Sequence, residues 1–264
     1  MNKIFNFKIH KLRRERAFNN WEKFSYLKNI SVERVYERLF EVNRSFELGL
    51  DLGCHNGELG FLLNKKDKIN NLIQTDFLLN YCNMARLNDF NSVVIDVENL
   101  PFKENKYNVI LSSFFFHWIE DAPKLFYNLR KIMKPDSLLL INFFGGGTLA
   151  DLQKLFIDIE IKLLGGSSPR IIPFLDIKSV GSLIQNSGFN MPVIDSEKIN
   201  VSHSNLLDLF YDLRGMGQTN CMQSTSKTIN RKVLNLLKKK IKSNKNINTS
   251  FELLTITAWT DKLS

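Results

Sequence analysis

The fold is decided by the stretch Leu48-Gly49-Leu50-Asp51-Leu52-Gly53-Cys54-His55-Asn56-Gly57, in which an apolar run passes into a turn with two glycines. A helical pattern follows at Glu58 to Asn64. In an open α/β sheet, ligands bind beside the carboxyl ends of the strands. Gly53 and Gly57 permit positive φ and a close approach of the backbone to such a ligand. The turn therefore predicts a nucleotide-like ligand at this edge of a sheet.

Short apolar runs alternate with helical patterns beyond this turn. The strand candidates are Leu48 to Leu52, Leu72 to Asp76, Val93 to Asp96, Asn108 to Ser112, Leu138 to Phe144 and Phe251 to Trp259. This alternation predicts a doubly wound, mostly parallel α/β sheet with right-handed crossovers. Helices are expected at Pro123 to Met133, before a turn at Lys134 to Ser137, and at Thr148 to Leu164.

Two regions lie outside this alternation. Residues 1–45 are expected to form an N-terminal helical preamble, broken at Asn29 to Ser31, with Ser31 as an N-cap. Residues 46–264 are expected to form the main domain, with an inserted helical segment at about 200–248. At 264 residues the chain is long enough to bury a large core.

Three acidic residues stand at the ends of three successive strands. They are Asp51, Asp76 and Asp96. Asp76 can accept hydrogen bonds from both hydroxyls of a ribose, and Asp96 can accept one from the exocyclic amine of adenine. Phe77 and Val97 can enclose the ring. Each acid alone is more often a solvated loop residue or a helix cap, but the ordered set indicates an adenosine site.

The glycine spacing separates two kinds of adenosine cofactor. A dinucleotide needs G-x-G-x-x-G, whereas this turn reads Gly53-Cys54-His55-Asn56-Gly57-Glu58, and the phosphate loop G-x-x-x-x-G-K-[ST] is absent too. S-adenosylmethionine (SAM) has no pyrophosphate, so a tight turn suffices for its methionine end. Asp51 is expected to act toward the methionine ammonium through its backbone or water. The pattern predicts SAM rather than NAD or FAD.

The composition is typical of a soluble cytoplasmic protein. It is 44% hydrophobic and 24% charged, and its apolar runs are far too short to cross a bilayer. Three cysteines without CxxC spacing favour neither a disulfide framework nor a zinc site. The four histidines are scattered, so no metal is expected.

The net charge of +9 is concentrated at two flanks. Residues 1–16 carry six basic residues, and 227–245 carry eight, including Lys227, Lys242 and Lys245. Such flanks can dock on an acidic protein, an anionic membrane or nucleic acid, or form a solvated face. Asn230 to Lys242 has the pattern of a helix that rests on an anionic surface, or that packs its apolar side on the domain. A protein and an anionic membrane both stay open as partners beside the solvated face, and no specific nucleic acid is expected.

Several motifs together resemble a known family. The strand-end set with Leu100 to Asn105, Ser112-Ser113, His117-Trp118 and Lys134 to Asp136 is similar to the class I SAM methyltransferases of the malonyl-acyl-carrier-protein O-methyltransferase group. Gly165 to Pro169, Ile172 to Phe174, Gly188 to Asn190 and Asp212 to Asn220 resemble the branch that contains the mitochondrial complex I assembly factor. The resemblance extends from about Phe5 to Trp259 and implies a Rossmann-like, seven-stranded sheet.

The resemblance also implies a site. The expected cofactor-binding residues are Asp51, Gly53, His55, Gly57, Asp76, Phe77, Asp96, Val97 and Ser112. His55 departs from the glycine of many relatives, and is either a surface side chain or a donor to the SAM carboxylate. His117 and Trp118 are the catalytic candidates near the methyl group. His117 is a base or substrate contact, or a hydrogen-bonded histidine beneath the following helix, and Trp118 is more simply explained by packing.

Three functions remain open at this point. The main expectation is SAM-dependent methyl transfer to an acceptor that the sequence does not identify. For this methyl transfer, the family resemblance implies an acyl-carrier-linked substrate in biotin synthesis. The second function that the resemblance implies is protein arginine hydroxylation, with a complex I subunit as partner. The third function is that of an assembly chaperone that binds SAM structurally or not at all.

Overall fold

The computed structural model describes residues 3–64, 66–223, 228–241 and 246–262. The helices are α1 (Phe7–Phe18), α2 (Trp21–Phe24), α3 (Tyr26–Glu41), α4 (Glu58–Leu63), α5 (Leu79–Ala85), α6 (Ala122–Ile132), α7 (Ala150–Leu164), α8 (Ile177–Asn186), α9 (Leu206–Gly215) and α10 (Arg231–Ile241). The strands are β1 (Phe46–Leu52), β2 (Ile69–Asp76), β3 (Asn91–Val94), β4 (Tyr107–Ser113), β5 (Met133–Phe144), β6 (Asn190–His203) and β7 (Ile247–Trp259).

The seven strands form one sheet in the order β3-β2-β1-β4-β5-β7-β6. β1 pairs in parallel with β2 and β4, and β4 pairs in parallel with β5, whereas β7 runs antiparallel to β5. The predicted doubly wound, mostly parallel sheet is confirmed. Because the strand order reverses between β1 and β4, their carboxyl ends bound the crevice in which such sheets bind ligands.

Helices cover both faces of this sheet. Successive strand residues point to opposite faces, and two separate apolar clusters result. One cluster contains Val32, Val35 and Leu39 of α3 with Val109, Leu111, Leu138 and Leu140. The other contains Leu125 and Leu129 of α6 and Val180 of α8 with Ile110, Leu139 and Ile141. Burial on both faces explains why the central strands are almost continuously apolar.

The chain divides into two compact units. The sheet unit comprises Ser25–Phe144, Leu175–Glu197 and Leu253–Ser264, and the helical unit comprises Met1–Phe24, Gly145–Phe174 and Lys198–Glu252. Within the helical unit, α1 and α2 pack on α9, and α7 packs on α10. These bounds fall elsewhere than the expected boundary at residue 45, so the division into 1–45 and 46–264 stays a prediction.

Helix α3 is continuous, so the break expected at Asn29 to Ser31 and the N-cap at Ser31 are wrong. Ser31 is buried in the middle of α3, where its hydroxyl donates to Oδ1 of Asn142. In return, Nδ2 of Asn142 donates to the Ser31 carbonyl at 2.8 Å. A residue type that usually caps a helix instead connects α3 to β5.

Two further expectations, for the turn after α6 and for the helical insertion before β7, differ from the structure. The turn at Lys134 to Ser137 is wrong, because β5 starts at Met133 directly after α6. Its first residues lie beside a register shift in β4, and Asp136 has a φ of 55°. The expected helical insertion at about 200–248 contains α9 and α10, but it begins inside β6, which the sequence pattern did not indicate.

The basic helix α10 uses its apolar side within the helical unit. Val233 and Leu237 are fully buried, and α10 packs on α7. Lys239 and Lys240 are exposed on the same helix. Lys227, Lys242 and Lys245 lie outside the described residues. Among the described residues, every helix falls short of the length and apolar character that a membrane crossing needs.

Candidate cofactor site

The turn after β1 has the backbone conformation that its glycines predict. The φ angles of Gly53 and Gly57 are 73° and 82°. A Cβ added at Gly53 would lie 2.4 Å from Cγ of Phe115, and one at Gly57 would lie 2.7 Å from Cα of Ala85. Both glycines are therefore required by the protein's own packing as well as by their left-handed conformation.

Asp51 is the buried acid at the end of β1. It is fully buried, and neither carboxylate oxygen has a hydrogen-bond partner among the described residues. Burial raises its pKa to about 7, Lys28 opposes this increase, and Glu58 and Asp76 add to it. Leaving a buried hydrogen-bond acceptor without a partner costs about 1–3 kcal/mol, and a charged acceptor costs more. This carboxylate therefore suits a ligand that brings a positive group.

A lysine from α3 also lies at this turn. Lys28 is fully buried, and its Nζ donates to the Gly53 carbonyl at 3.2 Å, to the Ser113 carbonyl at 3.0 Å and to Ser113 Oγ at 2.7 Å. The sequence reasoning missed this residue. The available signal was its position on the apolar face of α3, beside Leu27 and one turn before Val32, where a lysine is unusual.

Of the two expectations for His55, the surface side chain is wrong. It is fully buried, with a φ of 52°. Its Nδ1 lies 2.9 Å from the Gly53 carbonyl and donates to it, since a carbonyl only accepts. The ring packs against Tyr81, with 5.4 Å between the ring centroids. A donor role toward the SAM carboxylate stays a prediction.

Asp76 fixes two neighbouring segments. It is 3% exposed, and its carboxylate accepts from the backbone N–H of His55 at 3.3 Å and of Leu78 at 3.0 Å. Asp76 therefore connects the glycine turn to the start of α5. Phe77, which follows it, is half-buried against the apolar core.

Asp96 lies in an exposed turn after β3. Its Oδ1 accepts from the Glu98 N–H at 3.0 Å, and its Oδ2 accepts from Nδ2 of Asn99 at 2.8 Å. Each oxygen keeps a lone pair, because an ionised carboxylate accepts up to about four hydrogen bonds. Val97 is half-buried against the same core as Phe77. The turn thus keeps the acceptor capacity that an adenine amine needs.

The residues after β4 are mostly buried. The Ser112 hydroxyl donates to the Leu52 carbonyl at 2.6 Å, which joins the ends of β4 and β1. His117 and Trp118 are 7% and 6% exposed, in a short 3-10 helix at Phe116–Trp118. The Phe144 N–H contacts Nδ1 of His117 at 3.5 Å, so this histidine lies against the end of β5.

These residues fit SAM better than they fit a metal. No described residue donates a hydrogen bond to the buried carboxylate of Asp51, Asp76 ends β2, and Asp96 follows the end of β3 by two residues. Among the described residues, no group of three or more His, Cys, Asp or Glu side chains could hold a metal ion. The fold and the strand-end residues together define a Rossmann-like protein of the class I SAM-binding type.

Comparisons with known proteins agree. The family model described as "Methyltransferase domain" matches residues 50–141. A Rickettsia prowazekii (strain Madrid E) protein named "Putative methyltransferase RP459" is 31% identical over 190 residues, which cover 72% of this chain and 83% of that protein. The chain therefore belongs to the SAM-dependent methyltransferase family, whose cofactor is SAM.

Two other relatives carry more specific names. Human "Arginine-hydroxylase NDUFAF5, mitochondrial" is 35% identical over 211 residues, which cover 79% of this chain and 61% of that protein. The "Malonyl-[acyl-carrier protein] O-methyltransferase" of Xylella fastidiosa (strain M23) is 27% identical over 87% of this chain and 78% of that protein. The match spans less than two thirds of the human protein's length.

A solved structure supports the fold. The crystal structure of a SAM-dependent methyltransferase from Archaeoglobus fulgidus has a TM-score of 0.56 at 18% identity, and the match covers 92% of this chain and 99% of that one. At this level of identity the likeness concerns the arrangement of strands and helices alone.

Proposed function

We propose that this chain transfers the methyl group of SAM to an acceptor presented by a protein, either a side chain or an acyl group on a carrier protein. The observation that carries this proposal is the fully buried carboxylate of Asp51 beside the glycine turn, whose oxygens accept no hydrogen bond from the residues that the structure describes. A buried carboxylate is stabilised by a cationic ligand group, and the methionine end of SAM supplies an ammonium.

The proposed contacts follow the three strand ends. Asp51 faces the ammonium and Asp76 the ribose hydroxyls. Asp96 faces the adenine amine, and Phe77 and Val97 enclose the ring. Gly53 and Gly57 set the shape of the turn, and His55 and Ser112 hold its two sides through the Gly53 and Leu52 carbonyls.

Bound SAM supplies an electrophilic methyl group on a positive sulfonium. The protein then contributes mainly proximity and alignment of the acceptor, and a carboxylate acceptor needs no general base. With Nδ1 of His117 against the Phe144 N–H, a neutral ring carries its hydrogen on Nε2. We propose His117 as a substrate contact near the methyl group, and Trp118 as a packed wall of the site.

Protein arginine hydroxylation is the second candidate. It is favoured by one observation, the 35% identity to a human protein named for that activity. A complex I subunit would then be the partner, whereas the relationship to malonyl-acyl-carrier-protein methyltransferases favours an acyl-carrier substrate. A cytoplasmic protein with peripheral attachment to an anionic membrane is compatible with each of these.

One incubation separates these functions. The purified protein is mixed with methyl-labelled SAM and a cell extract, and with Asp51→Asn protein as the control. Label on a protein or acyl group, absent with the variant, supports methyl transfer. A gain of one oxygen mass on an arginine, without label, supports hydroxylation instead. If neither product is formed, the chaperone role remains and the enzyme proposal is overturned.

A further inference from the structure

We infer that Lys28 of α3 is a positioning residue of the SAM site, so that this helix, which precedes β1 in the chain, sets the shape and charge of the cofactor turn. This inference rests on the proposed function, because it concerns the same site. The residue lies outside residues 50–141, which the family model matches.

The hydrogen bonds of Lys28 account for the shape of the turn. An ammonium has three N–H donors, and those of Lys28 meet three acceptors, one on the Gly53 carbonyl and two on Ser113. The Gly53 carbonyl also accepts from Nδ1 of His55 at 2.9 Å, so both of its lone pairs are used. Lys28 therefore connects the turn after β1 to the last residue of β4, across the crevice where the ligand binds.

The charge of Lys28 acts on the protonation state of Asp51. A fully buried ammonium is unusual without an anionic neighbour. Its attraction to Asp51 opposes the effect of burial on that carboxylate. Lys28 thus favours the ionised form of Asp51, which is the form that binds an ammonium ligand. Since its three donors are already used within the protein, we assign it no step on the substrate.

The test compares SAM binding by calorimetry in three variants. Lys28→Met keeps an unbranched side chain that is one atom shorter and removes its charge and its donors. Ser31→Ala is the matched control, because Ser31 is buried on the same helix but contacts Asn142 of β5 rather than the turn. Ser113→Ala removes one acceptor of Lys28 and leaves the charge in place.

The variants have distinct expected results. Lys28→Met is expected to lose about ten- to hundredfold in SAM affinity near neutral pH. The pH at which its affinity is half-maximal rises by about one pH unit or more, because Asp51 loses its counter-charge. Ser31→Ala keeps the wild-type pH midpoint and, within about threefold, the wild-type affinity. SAM titrates identically in every sample, so differences between variants belong to the protein.

Three results would overturn the inference. The first is wild-type affinity in a folded Lys28→Met protein. The second is an equal loss in Ser31→Ala, which would mean that loosening α3 is enough. The third applies if Lys28→Met does not fold, and it is wild-type SAM affinity in Ser113→Ala. A severalfold loss of SAM affinity in Ser113→Ala, at an unchanged pH midpoint, supports the inference. A wild-type protein that fails to bind SAM would instead refute the proposed function.

Discussion

At the scale of single residues, the buried carboxylate of Asp51 gives the protein a response to pH at the candidate site. Burial raises its pKa from 3.8 to about 7. The folded, ligand-free protein therefore holds a proton that the unfolded chain releases between these values. The contribution of Asp51 to the free energy of unfolding falls as the pH rises from about 4 to about 7. A cationic ligand reverses this trend, because it stabilises the ionised carboxylate.

We therefore predict that SAM affinity increases as the pH rises from about 6 to about 7.5. Asp51→Asn keeps the shape of the side chain but cannot ionise, so its affinity should be lower and should change little over this range. Calorimetric titrations at both pH values measure this difference. A wild-type affinity that does not vary with pH, or one that varies equally in the variant, would contradict the role of Asp51.

Single residues also show what the sequence could reveal about the site. Asp51 and Asp76 were predictable because a parallel sheet brings the ends of its strands to one edge. Lys28 was overlooked in spite of its position on the apolar face of α3, because a lysine within a helical pattern is normally assigned to the solvent-exposed face. The burial of His55 was equally hidden, since the space that its ring fills is made by Tyr81 of α5, which is distant in sequence.

At the scale of elements, the junction between β1 and α4 depends on Gly57. Its φ of 82° and the 2.7 Å approach to Ala85 Cα both exclude a side chain. Gly165 has a similar φ of 71°, but nothing lies within 4 Å of its Cβ position. The two glycines therefore separate the effect of conformation from the effect of packing.

Gly57→Ala is predicted to destabilise the protein by more than Gly165→Ala. The left-handed conformation alone costs about 1–2 kcal/mol for an alanine, and overpacking adds about 1–3 kcal/mol at Gly57. Only Gly57→Ala should also weaken SAM binding. Urea denaturation measures the stabilities, and calorimetry measures the affinities. Equal destabilisation by both substitutions would show that α5 yields to the added methyl group.

The elements differ in how far the sequence predicted them. The central strands were found because both of their faces are buried, which makes them short apolar runs. Strand β6 was missed because it lies at the edge of the sheet, where half-exposed and exposed residues alternate over Asn190–His203. Helix α3 was divided wrongly at Ser31, because serine is a common N-cap residue. In the structure, this serine instead makes a buried hydrogen bond to Asn142.

At the scale of the whole molecule, we propose that the basic flanks provide the contact with anionic partners. The apolar residues Val233 and Leu237 of α10 are already buried, so a membrane contact through this helix would depend mainly on charge. Each lysine near an anionic surface contributes about 1 kcal/mol, and salt screens this attraction.

Sedimentation with lipid vesicles tests this contact. We predict binding to anionic vesicles at low salt, its loss at high salt, and no binding to neutral vesicles. Replacing Lys239 and Lys240 by Gln should weaken the binding, whereas Lys178→Gln, an exposed lysine of the sheet unit, serves as the control. Equal, negligible binding to both vesicle types would leave these lysines as a protein-docking or solubilising surface.

The central claim, that the strand ends hold SAM, is tested most directly by calorimetric titration of the wild-type and Asp76→Ala proteins with SAM, S-adenosylhomocysteine and NAD. The wild-type protein is predicted to bind the first two ligands and not NAD. Asp76→Ala should bind SAM about ten- to hundredfold more weakly, because a hydrogen bond to a charged group contributes about 1.5–3 kcal/mol. A wild-type protein that prefers NAD, or a folded Asp76→Ala protein with unchanged SAM affinity, would contradict the account.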